Sequence, residues 1–111
     1  MARSDRQRIQ DMLAAIENIR SDTGDLDALS FASRPMVIRS VLYSIAMIGE
    51  AAKGLGDDSR AMEPAIRWQA IAGMRNYIVH EYFRIDTQRV WDIVAHEIDP
   101  LEAASRRLSG G

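Results

Sequence analysis

Apolar residues recur along this chain at intervals of three and four, and nothing alternates with period two long enough to make a strand. Ile9, Met12, Leu13, Ile16 and Ile19 form the first stripe, with Arg6, Gln10, Asp11, Glu17 and Asn18 on other faces. Ser4 or Asp5 is placed to cap this helix, and Ser21-Asp-Thr-Gly24 to end it. Residues 25–32 carry Leu26, Leu29 and Phe31, which predicts a link packed on the core. Ser33 reads as the next N-cap, with Pro35 in a first turn whose N–H groups need no partner. A second stripe follows through Val37, Val41, Ile45, Ile48, Ala52 and Leu55, stopped by Gly54 and Gly56.

Asp57, Asp58 and Ser59 offer a polar turn and a cap for a short helical piece ending near Pro64. The helical pattern resumes from Arg67 to about His80. Thr87, after Asp86, is placed to cap a last helix carrying Val90, Trp91, Val94, Ile98, Leu101 and Leu108. Pro100 lies inside that pattern and should kink or restart it. The expected fold is all-α: four main helices plus a short extra one, in an up-and-down bundle. Residues 1–111 read as a single domain, without internal repeat or low-complexity segment.

Composition narrows the function. The 111 residues are 47% hydrophobic and 27% charged, with a formal charge of −2. That excludes a polybasic nucleic-acid coat and argues against tight non-specific RNA binding at physiological salt. The absence of cysteine excludes disulfide scaffolds, thiolate zinc sites and cysteine nucleophiles. No apolar signal core opens the chain, and no apolar run approaches the roughly 18 residues of a membrane span. A cytoplasmic protein is therefore expected, with no membrane contact and no cofactor. His80 and His96 stand on different helices without supporting carboxylate spacing, so no metal site is expected either.

Charge is distributed unevenly. Residues 60–89 carry five Arg, at positions 60, 67, 75, 84 and 89, against Glu63, Glu81 and Asp86. It is the only net-positive stretch, and it holds His80; an anionic ligand would bind there, although so small an excess also arises by fluctuation. On a helical wheel Arg67 (through its stem), Ile71, Met74 and Ile78 cluster within about 60° as a core stripe. Arg75, Asn76, Val79 and His80 occupy a separate arc spanning about 140°.

An apolar Val among a guanidinium, an amide and an imidazole suggests a face that a second copy of the chain covers. Two Arg75 and two His80 meeting in one cleft would suit a phosphodiester: Arg offers a fork of donors for the oxygens, and His moves protons near neutrality. On spacing alone the plain alternative stands, with Arg75 paired to a carboxylate such as Glu81 or Asp86 and His80 an ordinary surface residue.

The string Gly73-Met-Arg-Asn-Tyr-Ile-Val-His-Glu-Tyr82 closely resembles the signature of the HepT-like branch of the HEPN superfamily. Arg75, Asn76, His80 and Tyr82 match its Arg, polar residue, His and Tyr. Ile48-Gly-Glu-Ala-Ala52, Trp68 and Val90-Trp-Asp-Ile-Val94 also fit, so the resemblance runs from about residue 35 to 101.

The resemblance implies a HEPN-like helical homodimer acting on RNA as a metal-independent endoribonuclease, with its site at the dimer interface. It also implies a toxin of a toxin–antitoxin pair whose cognate antitoxin is a minimal nucleotidyltransferase. Arg75 and His80 would be catalytic, Arg75 on the phosphate and His80 in proton transfer as the 2′-OH attacks. Asn76 would support the site, and Tyr82 would be the hydroxyl that the antitoxin adenylylates.

If the helix persists to Tyr82, that residue falls within about 20° of Arg75, and a nucleotide there would block RNA by bulk and like charge. Glu50 lies on a mostly polar line with Arg39, Tyr43, Ala46 and Lys53, where it either supports Arg75 or His80, or is a solvent-exposed carboxylate bonded to Lys53 or to nothing. Trp68, Tyr77 and Trp91 read as packing anchors. Two other readings remain: a non-catalytic helical dimer that docks a nucleotidyltransferase, and a purely structural dimer.

Overall fold

The computed structural model describes residues 3–110. Seven α-helices follow in order: α1 (Asp5–Thr23), α2 (Ala28–Ala32), α3 (Pro35–Gly54), α4 (Asp57–Ala61), α5 (Trp68–Glu81), α6 (Thr87–His96) and α7 (Ile98–Leu108). A 3-10 turn at Tyr82–Arg84 joins α5 to α6. No strand occurs among the described residues.

Ser4 starts α1 with a reciprocal pair of bonds, its side chain accepting from the Gln7 N–H while Gln7 accepts from the Ser4 N–H. Gly24 closes that helix, and Gly54 is the last residue of α3. Pro100 falls in the first turn of α7, where its missing N–H costs little. The predicted last helix is indeed broken, at Glu97, into α6 and α7.

The link before α3 differs from expectation. Asp27 and Ser30 form a second capping box that folds residues 28–32 into α2. Ser33 is the C-cap of α2 rather than the N-cap of α3; α3 starts after Arg34 without a side-chain cap, using the fixed φ of Pro35. Phe31 is fully buried from this link, but Leu29 points to solvent. Gly56, not the following acidic residues, precedes α4, and Asp86 rather than Thr87 caps α6 through the N–H groups of Gln88 and Arg89.

The long helix α3 is the centre of the molecule. It lies between α1 and α5, with Val41, Leu42, Ile45, Ile48, Ala51 and Ala52 buried. By length and composition alone the 20-residue α3 could cross a membrane, contrary to the expectation that no apolar stretch approaches such a span. Its buried stripe instead meets Met12, Ile16 and Ile19 of α1 and Ile71, Met74 and Ile78 of α5 in one core. Helices α6 and α7 close the core with Val90, Ile98 and Leu101.

The stripe of α5 begins at Trp68. Arg67 precedes the helix as an exposed residue, its stem unburied, whereas the Trp68 indole N–H reaches the carbonyls of Arg60 and Glu63.

Candidate active site

Two helices build the site because glycine lets them approach. A Cβ on Gly49 of α3 would stand 2.9 Å from both the Cβ and the amide nitrogen of Arg75 on α5. Real Cβ atoms do not come that close, so only glycine allows this crossing. Glu50, the next residue, is thereby set beside Arg75, and its Oε2 lies 2.9 Å from the Arg75 Nε. The open choice for Glu50 resolves in favour of Arg75, not His80 or Lys53.

With Nε engaged, the terminal nitrogens belong to a side chain that is 42% exposed. One of them lies 3.5 Å from Oδ1 of Asn76, a contact long enough to yield to a ligand. Asn76 and His80 are exposed on the same helix, and His80 meets no hydrogen-bond or ion-pair partner among the described residues. Val79 between them is 54% exposed. The expected arc is therefore present and open. Neither carboxylate proposed as a competitor takes Arg75: Glu81 pairs with Arg84 at 3.5 Å, and Asp86 caps α6.

Arg75 and His80 are five residues apart on one helix, so their side chains diverge by about 140° and are separated by about 7.5 Å along the axis. One chain thus presents the two groups side by side without converging them on one atom. Helix α3 exposes Met36, Tyr43 and Met47, spaced to share a face with Glu50, and Tyr43 and Met47 with Glu50 line a groove against α1. The open face is both chemically equipped and apolar.

Tyr82 is placed elsewhere than the continuous helix would put it. Helix α5 ends at Glu81, whose φ of −109° and ψ of 14° turn the chain. Tyr82 opens the 3-10 turn, is 46% exposed, and lines a cleft with the start of α3, so the condition for its alignment with Arg75 is not met. The cleft, of about 380 Å³, is bounded by Pro35, Ile38, Arg39, Leu42, Phe83 and Ile85.

The aromatic anchors behave as expected. Trp68 is buried, Trp91 packs on Phe31 at 5.2 Å, and the Tyr77 ring carries the Arg89 guanidinium at 4.0 Å. Exposed Phe83 was not singled out from the sequence; it lies just past the motif, in no helical stripe.

Comparison with known proteins bears directly on this site. The model of a family described as ribonuclease HepT-like matches residues 12–108. A Thermococcus cleftensis protein named a probable ribonuclease HepT is 30% identical over 97% of this chain and 98% of its own. A Methanocaldococcus jannaschii protein named a putative RNase is 29% identical, over 85% of this chain and 86% of its own. Another so named, from Caldanaerobacter subterraneus, is 33% identical over 70% of each. No solved structure matches the chain.

Proposed function

Taking as premise that the chain belongs to the HepT-like ribonuclease family, we propose that it is an endoribonuclease toxin whose site forms between two copies. The observation that carries this reading is the Arg75–Glu50 pair, which holds a guanidinium by its Nε and leaves its terminal nitrogens only a long 3.5 Å bond to Asn76, on the helix that bears a His80 without partner among the described residues. A second copy on that face supplies the convergence that one helix lacks. The exposed Val79, Tyr43 and Met47 are then buried in the contact.

In the reaction, the Arg75 terminal nitrogens bind the non-bridging oxygens of an RNA phosphate and stabilise the charge that grows on them. The neutral His80 imidazole takes the proton of the neighbouring ribose 2′-OH. The 2′ oxygen attacks phosphorus, the bond to the 5′ oxygen breaks, and that oxygen takes a proton from water while His80 returns its own to solvent. The products are a 2′,3′-cyclic phosphate and a 5′-hydroxyl. The nucleophile belongs to the RNA, so no metal is needed to activate water. Asn76 supports Arg75, and Glu50 fixes its orientation.

Tyr82 is the site of neutralisation. Its phenolic oxygen attacks the α-phosphorus of ATP, held by a cognate minimal nucleotidyltransferase antitoxin, and pyrophosphate leaves. The exposure of Tyr82 supports this role. The added phosphate and base then exclude RNA by charge and bulk.

The test is incubation of the purified protein, with Tyr82 confirmed unmodified by mass, with labelled RNA in EDTA beside His80→Ala. Cleavage by the wild type alone, leaving cyclic-phosphate ends, is expected. Equal cleavage by His80→Ala overturns the catalytic assignment. No cleavage by either leaves the docking-module reading in its place.

A further inference from the structure

The cleft at the Tyr82–Arg84 turn sets exposed groups that the phosphate site does not use beside the core residue Leu42. Phe83 is 97% exposed, the most exposed large apolar side chain among the described residues. Its ring meets Tyr82 edge to face, with centroids 5.4 Å apart at 84°, so two aromatic surfaces stand at right angles at the cleft mouth. Arg39 of α3 also lines the cleft. Its one hydrogen bond, a long 3.4 Å contact from Nε to the Pro35 carbonyl, leaves the charge without a carboxylate among the described residues.

We infer that this cleft is a subsite for one unpaired nucleobase of the RNA substrate, with Phe83 as the stacking surface and Arg39 as the cation for an adjoining phosphate. The inference rests on the ribonuclease reading above and adds to it a nucleobase contact outside the phosphate site. An aromatic face with a free guanidinium is the pairing used to hold unstacked bases, whereas a base inside a duplex presents no open face. Its place relative to the phosphate site fits. Glu81, the last residue of α5, follows Arg75 by six residues, a rise of about 9 Å, and the cleft opens at the turn just beyond it, within reach of a nucleotide close to the one being cut. A nucleotide attached to Tyr82 would occupy the same cleft.

The experiment is fluorescence anisotropy of a labelled single-stranded RNA on the His80→Ala protein, which leaves the RNA whole, against the same protein also carrying Phe83→Ala or Arg39→Gln. The Phe83 ring is outside the core, so its removal leaves the fold in place. Phe83→Ala should weaken binding about tenfold. A single abasic position scanned along the RNA should weaken binding at one place to the Phe83 protein, and nowhere further to Phe83→Ala. Arg39→Gln should weaken binding and reduce the salt slope by about one.

Unchanged affinity in Phe83→Ala overturns the subsite, as does a loss that no abasic position reproduces. A changed particle mass with RNA affinity intact also overturns it and assigns the patch to a protein contact. The two readings fail separately. Wild type that does not cut, with Phe83-dependent and abasic-sensitive binding, loses the nuclease and keeps the subsite; wild type that cuts, with Phe83→Ala binding normally, does the reverse.

Discussion

The two flanks of α3 treat charge in opposite ways. On the side of α1 and α7, charged groups are joined across long stretches of sequence. Arg20 reaches Asp99 at 2.6 Å and Glu102 at 2.7 Å, Arg107 reaches Glu63 at 2.6 Å, and Asp5 accepts from the Ser59 hydroxyl at 2.6 Å and the Gly56 N–H at 3.2 Å. On the α5 side, Arg75 has one carboxylate, from the neighbouring helix, while Asn76, His80, Tyr82 and Phe83 stand open. One flank carries the long-range ion pairs that tie the helices together, and the other carries the exposed groups of the proposed site. Substitutions should therefore separate stability from activity according to flank.

The largest separation should come from paired substitutions in the two regions. Arg75→Ala removes the guanidinium proposed to bind the phosphate and should lower RNA cleavage about 10²–10⁴-fold. Arg75 lies at the edge of the core, so its thermal midpoint should stay close to the wild-type value. Ile16→Ala, in the fully buried stripe of α1, should cost about 2–5 kcal/mol of unfolding free energy. Its folded fraction should keep normal cleavage per molecule. Urea unfolding and a cleavage assay on both proteins test this; unfolding of Arg75→Ala would merge the two regions into one.

Gly49→Ala sharpens the comparison because it acts where the two roles meet. The new methyl must push α5 away at Arg75, and backbone as well as side chain is in its path. A destabilisation of about 1–3 kcal/mol is expected. Cleavage should fall by more than the folded fraction does, because Glu50 no longer reaches Arg75 in the same geometry. A variant that loses stability alone would show that the close crossing serves packing only.

These contrasts also explain what the sequence made legible. Stripes such as Ile9–Ile19 and Val37–Leu55 are long enough for their period to stand out, and their glycine stops are local. The five-residue α2 is too short to show a period, so its capping box at Asp27 and Ser30 passed for a link and Ser33 for a cap.

Arg75 and His80 were visible as a string, but the Glu50 contact required two helices to cross. Tyr82 was aligned with Arg75 only on the assumption of a continuous helix, which the backbone of Glu81 breaks. Ion pairs such as Arg20–Glu102 join residues too far apart in the chain for any spacing rule to find.

The smallest effect lies on the ion-paired flank and has a definite sign with pH. The Ser59 hydroxyl and the Gly56 N–H hold the Asp5 carboxyl below its ordinary value of 3.8. The Arg20 guanidinium does the same to Glu102, and Arg107 to Glu63, from an ordinary 4.5. Each group is easier to protonate in the unfolded chain than in the folded one. Their contributions are complete above those ordinary values and are lost as pH falls through the lower folded ones.

Asp5→Asn keeps an acceptor for Ser59 and removes the charge. Because the site is partly solvated, the loss at neutral pH should be under about 1 kcal/mol. The gap between Asp5→Asn and wild type, read from urea midpoints at neutral pH and near pH 3, should narrow in acid. A gap that is constant with pH would mean that the Asp5 charge adds nothing to the α1–α4 contact, and that neutral packing alone closes that end of the bundle.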